Sequence, residues 1–77
     1  MRYNHAVTGR IIRDLRRKRS LSQEVLSGLA GIARSHLAMI ESGTKNASLE
    51  TLWRIAEALD MSLSELIFMI EQEIKLD

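Results

Sequence analysis

Cysteine and proline are absent from the 77 residues, glycine occurs four times, and one Trp, one Tyr and one Phe are the only aromatics. Without cysteine there is neither a disulfide framework nor a thiolate zinc site. So little proline and glycine leaves few turn signals for a strand-rich fold. No apolar run is long enough to span a membrane, and no signal-peptide pattern opens the sequence. A chain of this length is expected to form one domain around a single core. With 45% apolar residues that core should be aliphatic and helical, and the expected location is the cytoplasm. His5, in an expected N-terminal tail, and His36, on a helix face, lack the spaced partners that zinc binding or nucleophilic catalysis requires. No glycine-rich phosphate loop is present either. Neither enzyme activity nor a metal or cofactor is expected.

The formal charge of +1 conceals an uneven distribution. Residues 1–19 carry seven basic side chains against Asp14, whereas residues 48–77 carry seven acidic ones against Arg54 and Lys75. The run Arg16-Arg17-Lys18-Arg19 fits a solvated helix end, where cations suit the dipole, or an anion-facing patch. The polarity along the chain suggests a basic half for a polyanion and an acidic half kept away from it.

What is abundant is helical periodicity, in five segments. The first covers about residues 9–19, with Thr8 as its N-cap and an inner arc of Ile11, Ile12 and Leu15, Arg16 standing at its edge. Ser22 caps a second, about 23–30, whose arc is Val25, Leu26, Leu29 and Ala30. Gly31 then turns the chain into a third, about 33–42, stopped by Gly43. Leu37, Ile40 and Ala33 fall on its inner side. Ser48 caps a fourth at about 49–59, burying Leu49, Leu52, Ile55, Ala56 and Leu59. The capping box Ser62-Leu-Ser-Glu65 opens a fifth, with Leu63, Leu66, Ile67, Ile70 and Ile74 along one face.

The second and third segments, short and joined at a glycine, read as a helix-turn-helix. The outward side of the third is small and almost uncharged: Ser35, Ala38, Met39 and Ser42. Small side chains let a helix sit deep in a DNA major groove, and a methionine can touch a thymine methyl.

The stretches "IIRDLRRKRSLSQEVLSGLAGI" and "RSHLAMIESGTKNASLETLWRIAEALDMSLSEL" resemble the Cro/phage-repressor (XRE-like) helix-turn-helix family over residues 9–67. The similarity rests on Leu15-Arg16, Ser22-Gln23, Leu26, Ala30-Gly31-Ile32, Leu37, Ile40-Glu41, Gly43 and Ala56 through Leu59. Within that family the "RSHL" start, "KNASLETL" and the acidic helical tail are similar to restriction–modification controller proteins. The resemblance implies an all-α, five-helix, lambda-repressor-like domain spanning 1–77, with its core at 9–67 and a fifth-helix extension at 68–77. It implies a transcriptional regulator whose partner is double-stranded DNA. Gln23 would bind a backbone phosphate. Arg34, Ser35, His36 and Met39, with Ser42 on the same face, would meet bases or nearby phosphates. Lys45 and Asn46 would grip phosphate from the following loop. Arg16 and Glu41 would form a partly buried ion pair.

Several of these roles have independent physical grounds. Gln23 begins a helix, where orphan N–H groups attract phosphate. Arg34 could pair with guanine or simply bind phosphate, and His36 could equally pack on the surface. Ala33, often Ser or Thr in the family, cannot cap the third helix. One monomer offers few base contacts, so a homodimer on a near-palindromic operator is expected. Trp53, Phe68 and Met69 either cap the core or form the dimer interface. The alternative function is an antitoxin-like module that neutralises a partner protein through its surplus apolar surface.

Overall fold

Three serines start three of the helices. In the computed structural model, which describes residues 2–76 with Leu76 by its backbone alone, Ser22 Oγ accepts from the Val25 amide and Ser48 Oγ from the Thr51 amide. These contacts open α2 (Gln23–Ala30) and α4 (Leu49–Ala58). Ser62 opens α5 (Leu63–Leu76) reciprocally: the Glu65 amide donates to Ser62 Oγ, and the Ser62 amide to Glu65 Oε1. Side-chain acceptors of this kind satisfy the N–H groups that a first helical turn leaves orphaned. α3 (Arg34–Glu41) starts without one, because Ala33 makes no side-chain cap. Gly31 and Gly43 follow α2 and α3 at φ of 71° and 80°, in the left-handed region that favours glycine.

The first helix departs from expectation. α1 (His5–Lys18) starts at His5 rather than at residue 9, and its cap is Asn4, whose Oδ1 accepts from the Ala6 amide. Thr8 lies inside the helix, buried, with its hydroxyl 2.9 Å from that of Tyr3. Starting earlier buries Val7 as well as Thr8, so the apolar stripe gains a turn. His5 is therefore part of a helix and not of a tail.

The five helices make an all-α domain, with no strand among the described residues. One cluster unites Ile12, Leu15, Leu26, Leu37, Ile40, Leu52, Ile55, Leu59, Leu66 and Ile70. Burying each such side chain contributes about 1.5–3 kcal/mol. α1 packs on α3 and α5, α2 on α3 and α4, and α4 on α5, so the helix-turn-helix is backed on both sides. Met1 and Asp77, which the expected 1–77 domain includes, lie outside the described residues.

Four residues assigned to inner arcs face solvent instead: Val25, Leu29, Leu49 and Ile67. In α2 the inner side is centred on Leu26, Ala30 and the small Ser27, all buried, which rotates Val25 and Leu29 outward. In α4 the buried Thr51 takes the first-turn inner position, leaving Leu49 65% exposed. Ala33 is also exposed, since it precedes the helical turn it was assigned to. Nor do the basic and acidic ends of the chain stay apart. α1 and α5 are neighbours, and Arg10 Nη2 lies 3.3 Å from Glu73 Oε1. The charge polarity of the sequence is folded back on itself.

Candidate nucleic-acid interface

The turn between α2 and α3 is closed by the Ile32 amide, which donates to the Ser27 carbonyl at 3.0 Å. Ser27 can sit at this tight junction because its hydroxyl turns back onto the Glu24 carbonyl, 3.1 Å away, and needs no other partner. Leu37 and Ile40 bury the inner side of α3. From α4, Arg54 reaches the Gly31 carbonyl with one nitrogen and Glu50 with another, at 3.5 and 2.9 Å. The turn is thus tied to the helix behind it.

A buried ion pair fixes α3 against α1. Arg16 Nε lies 2.7 Å from Glu41 Oε2, and Arg16 Nη2 lies 2.9 Å from Oε1, a two-pronged match between guanidinium and carboxylate. The two side chains are 10% and 2% exposed. The third guanidinium nitrogen donates to the Leu21 carbonyl, and Gln23 Nε2 adds a further bond to Glu41 Oε1 at 3.1 Å. The Glu41 hydrogen bond holds the Arg16 pKa above its already high ordinary value, outweighing burial, which acts the other way. Neutralising either partner would strand the other out of water, so the arrangement acts as a rigid joint between α1, α2 and α3.

The opposite side of α3 is open. Arg34, Ser35, Met39 and Ser42 are exposed, with His36 and Ala38 half-buried between them. Ser42 Oγ donates to the Met39 carbonyl and also meets Thr44 Oγ1 at 2.8 Å. The Thr44 and Lys45 amides converge on that same Met39 carbonyl. The end of α3 is therefore sealed by its own loop, which carries Lys45 and Asn46 exposed beside it. Gln23 is half-buried at the start of α2, with its carboxamide turned onto Glu41. Away from this face, Trp53 and Phe68 are exposed, whereas Met69 packs partly against the core and is not free beside Phe68. Phe68 instead borders a shallow depression lined by Met61, Ser64, Glu65 and Met69.

Support for the loop after α3 comes from a quarter that local sequence patterns do not reveal. His5 Nε2 lies 3.0 Å from the Gly43 carbonyl, and the Tyr3 hydroxyl donates to Asn46 Oδ1 at 3.1 Å. The partners are 38 and 43 residues apart in the chain. A backward extension of the α1 stripe to Val7 is the one signal that would have brought the N-terminal segment onto the domain. Among the described residues no cluster of His, Asp or Glu could hold a metal ion, and no helix is long and apolar enough to cross a membrane.

The helix-turn-helix family pattern matches residues 12–66 of the chain. The control protein C.MunI of Mycoplasma sp is 36% identical over 66 residues, 84% of this chain and 89% of that protein. The crystal structure of the restriction-modification controller protein C.AhdI from Aeromonas hydrophila is 39% identical, with a TM-score of 0.77 over 80% of this chain and 94% of that one. Shape alone relates the chain to the controller protein C.Esp1396I, solved as a tetramer in complex with its natural 35-base-pair operator. That likeness has a TM-score of 0.85 over 96% and 97% of the two chains at 22% identity.

Proposed function

From the premise that this chain belongs to the Cro/phage-repressor (XRE-like) helix-turn-helix family of transcriptional regulators, we propose that it reads a near-palindromic operator as a cytoplasmic homodimer. Its relatives make a restriction–modification controller the favoured role, since C.AhdI and C.MunI are similar along most of their lengths. The observation that carries the proposal is the open face of α3. Arg34, Ser35, Met39 and Ser42 face outward from a helix whose inner side is locked by the Arg16–Glu41 pair. A small-residue helix held rigidly by a buried joint is what a major groove admits.

In this reading Arg34, Ser35, His36 and Met39 meet base edges or adjacent phosphates, and Lys45, Asn46 and Gln23 meet phosphates. An eight-residue α3 is about 12 Å long. It spans only part of one groove, so a second copy about 34 Å away supplies the other half-site. Trp53 and Phe68, 55% and 60% exposed, are the anchors proposed for the two-fold contact.

Selection of bound duplexes from a random-sequence pool tests the proposal, because it yields half-site, spacing and symmetry together. Recovery of a two-fold symmetric motif with half-sites one helical turn apart is the expected result. No enrichment at all would sink it. The exposed Val25, Leu29, Leu49 and Trp53 also suit an antitoxin-like module that covers them with a partner polypeptide. A chain that purifies alone as a dimer favours the regulator, and one that needs a second polypeptide favours the module.

A further inference from the structure

Asn46 stands in the loop proposed to meet phosphate, and its carboxamide is held from the far end of the chain. The Tyr3 hydroxyl donates to Asn46 Oδ1 at 3.1 Å. A phenol has one proton to give, so the 2.9 Å contact between the Tyr3 and Thr8 hydroxyls is donated by Thr8. Thr8 is 1% exposed and fixed within α1. A relay therefore runs outward from a buried hydroxyl, through Tyr3, to a side chain on the loop.

The relay sets a direction. With Oδ1 engaged as an acceptor, the Asn46 NH2 group is turned away from Tyr3, and among the described residues it donates to nothing. A carboxamide free to flip offers a donor or an acceptor in turn. One held in this sense offers its two N–H groups, which is the polarity a phosphate oxygen needs. His5 supports the same loop by its bond to the Gly43 carbonyl, so Tyr3, just before α1, and His5, its first residue, brace the loop at two points.

We propose that Thr8 and Tyr3 are positioning residues for nucleic-acid binding, locking the Asn46 carboxamide with its NH2 outward so that it donates to a backbone phosphate. The proposal rests on the reading of this loop as a DNA contact. Asn46 is neutral, so its bond releases no counterion. It adds affinity for any sequence without steepening the salt dependence.

The test uses the full chain, a duplex selected by the wild-type protein from a random pool, and a scrambled duplex of equal length. The variants are Tyr3→Phe, Asn46→Ala, their double mutant and Lys45→Ala. Tyr3→Phe leaves the buried Thr8 hydroxyl without its acceptor, so a urea melt of the variant accompanies the titrations, and binding is measured where the variant is fully folded. Tyr3→Phe is expected to weaken binding about three- to tenfold on both duplexes alike, with the slope of log K against log salt unchanged. In the Asn46→Ala background the same change should cost less than about twofold, since the group it positions is gone. A Tyr3→Phe effect equal with and without Asn46, or no effect at all, overturns the relay. Lys45→Ala separates the two levels: if it flattens the salt slope while Tyr3→Phe is silent, the relay alone fails. If Lys45→Ala leaves both affinity and slope untouched, the loop is not a DNA contact and the premise fails with it.

Discussion

The backbone of Gly9 rests directly against the carbonyl oxygen of Ile40, where α1 crosses α3. A methyl group at Gly9 would overlap that oxygen and lie 3.0 Å from the Glu41 carbonyl oxygen as well. Both obstacles are main chain and cannot swing aside. Gly9→Ala is therefore expected to destabilise the protein by about 1–3 kcal/mol, even though alanine is the better helix former. Gly28, within α2, is the opposite case, because nothing lies within 4 Å of an added Cβ. Gly28→Ala should stabilise by up to about 1 kcal/mol. Urea melts of the two variants check both signs, and a Gly9→Ala midpoint at or above wild type would refute the close contact.

The Arg16–Glu41 pair should dominate the electrostatic contribution to stability. Glu41→Ala leaves a guanidinium buried without its carboxylate, at an expected cost of about 3–5 kcal/mol. Glu50→Ala removes an ion-pair partner too, but Arg54 and Glu50 are 48% and 74% exposed, and such pairs contribute about 0–1 kcal/mol. Thermal melts should therefore separate the two variants widely. A Glu41→Ala melting temperature within a degree or two of wild type would show that the pair is not needed to hold α3.

The parts of this domain that are legible in the sequence are those decided within a few residues. Ser22, Ser48 and Ser62 cap their helices as local chemistry dictates, and Gly31 and Gly43 take the turns that glycine suits. The start of α1 is misread from sequence: Thr8 reads as the cap, whereas Asn4 caps the helix one turn earlier. What decides between them is distant: the Thr8 hydroxyl is claimed by Tyr3, whose own proton goes to the α3–α4 loop. Helical periodicity finds the stripes but sets them too wide. An eight-residue helix such as α2 buries one narrow strip, and the surplus Val25 and Leu29 remain outside. The Arg16–Glu41 joint is suggested by the family resemblance and by the cost of burying either charge alone. The bond from Gln23 to Glu41 is not, because it requires the mutual placement of three helices.

Acid should loosen the start of α5. The Glu65 carboxyl is held below its ordinary value of 4.5, chiefly by the Ser62 amide and then by the Ser62 hydroxyl. With the folded value depressed, the unfolded chain takes up the proton first. The cap therefore contributes fully above the unfolded value and is lost as pH falls through the folded one. Wild type should exceed Glu65→Gln in urea midpoint at neutral pH, and the difference should close as pH falls through the depressed folded value. A gap that persists in acid would show that the carboxylate charge is not its source.

Phe68 is the residue whose exposure most needs a partner. It is 60% exposed on α5, beside the depression bordered by Met61 and Met69. A two-fold axis at this edge would cover it with its counterpart from a second copy. Phe68→Glu places like charges across that axis and should yield monomers at micromolar concentration in sedimentation, with the apparent melting temperature lowered by the lost association. A variant still dimeric would move the interface elsewhere, with Trp53 on α4 as the next candidate.

Arg34 and Lys45 should separate sequence reading from charge. Arg34 is exposed at the first position of α3, where a guanidinium can reach guanine O6 and N7, whereas Lys45 lies in the loop that seals the far end of the helix. Arg34→Ala is expected to cost about 1–3 kcal/mol per half-site on the operator and to relax the base preference at one position. It should weaken scrambled DNA far less. Lys45→Ala should weaken every sequence alike and flatten the slope of log K against log salt by about 0.9 for each phosphate no longer neutralised. In a dimer each change counts twice. Titrations of both variants on operator and scrambled duplexes, at several salt concentrations, distinguish the roles. Equal losses on both duplexes for Arg34→Ala would make it a phosphate ligand, and base reading would then fall to Ser35, His36 and Met39.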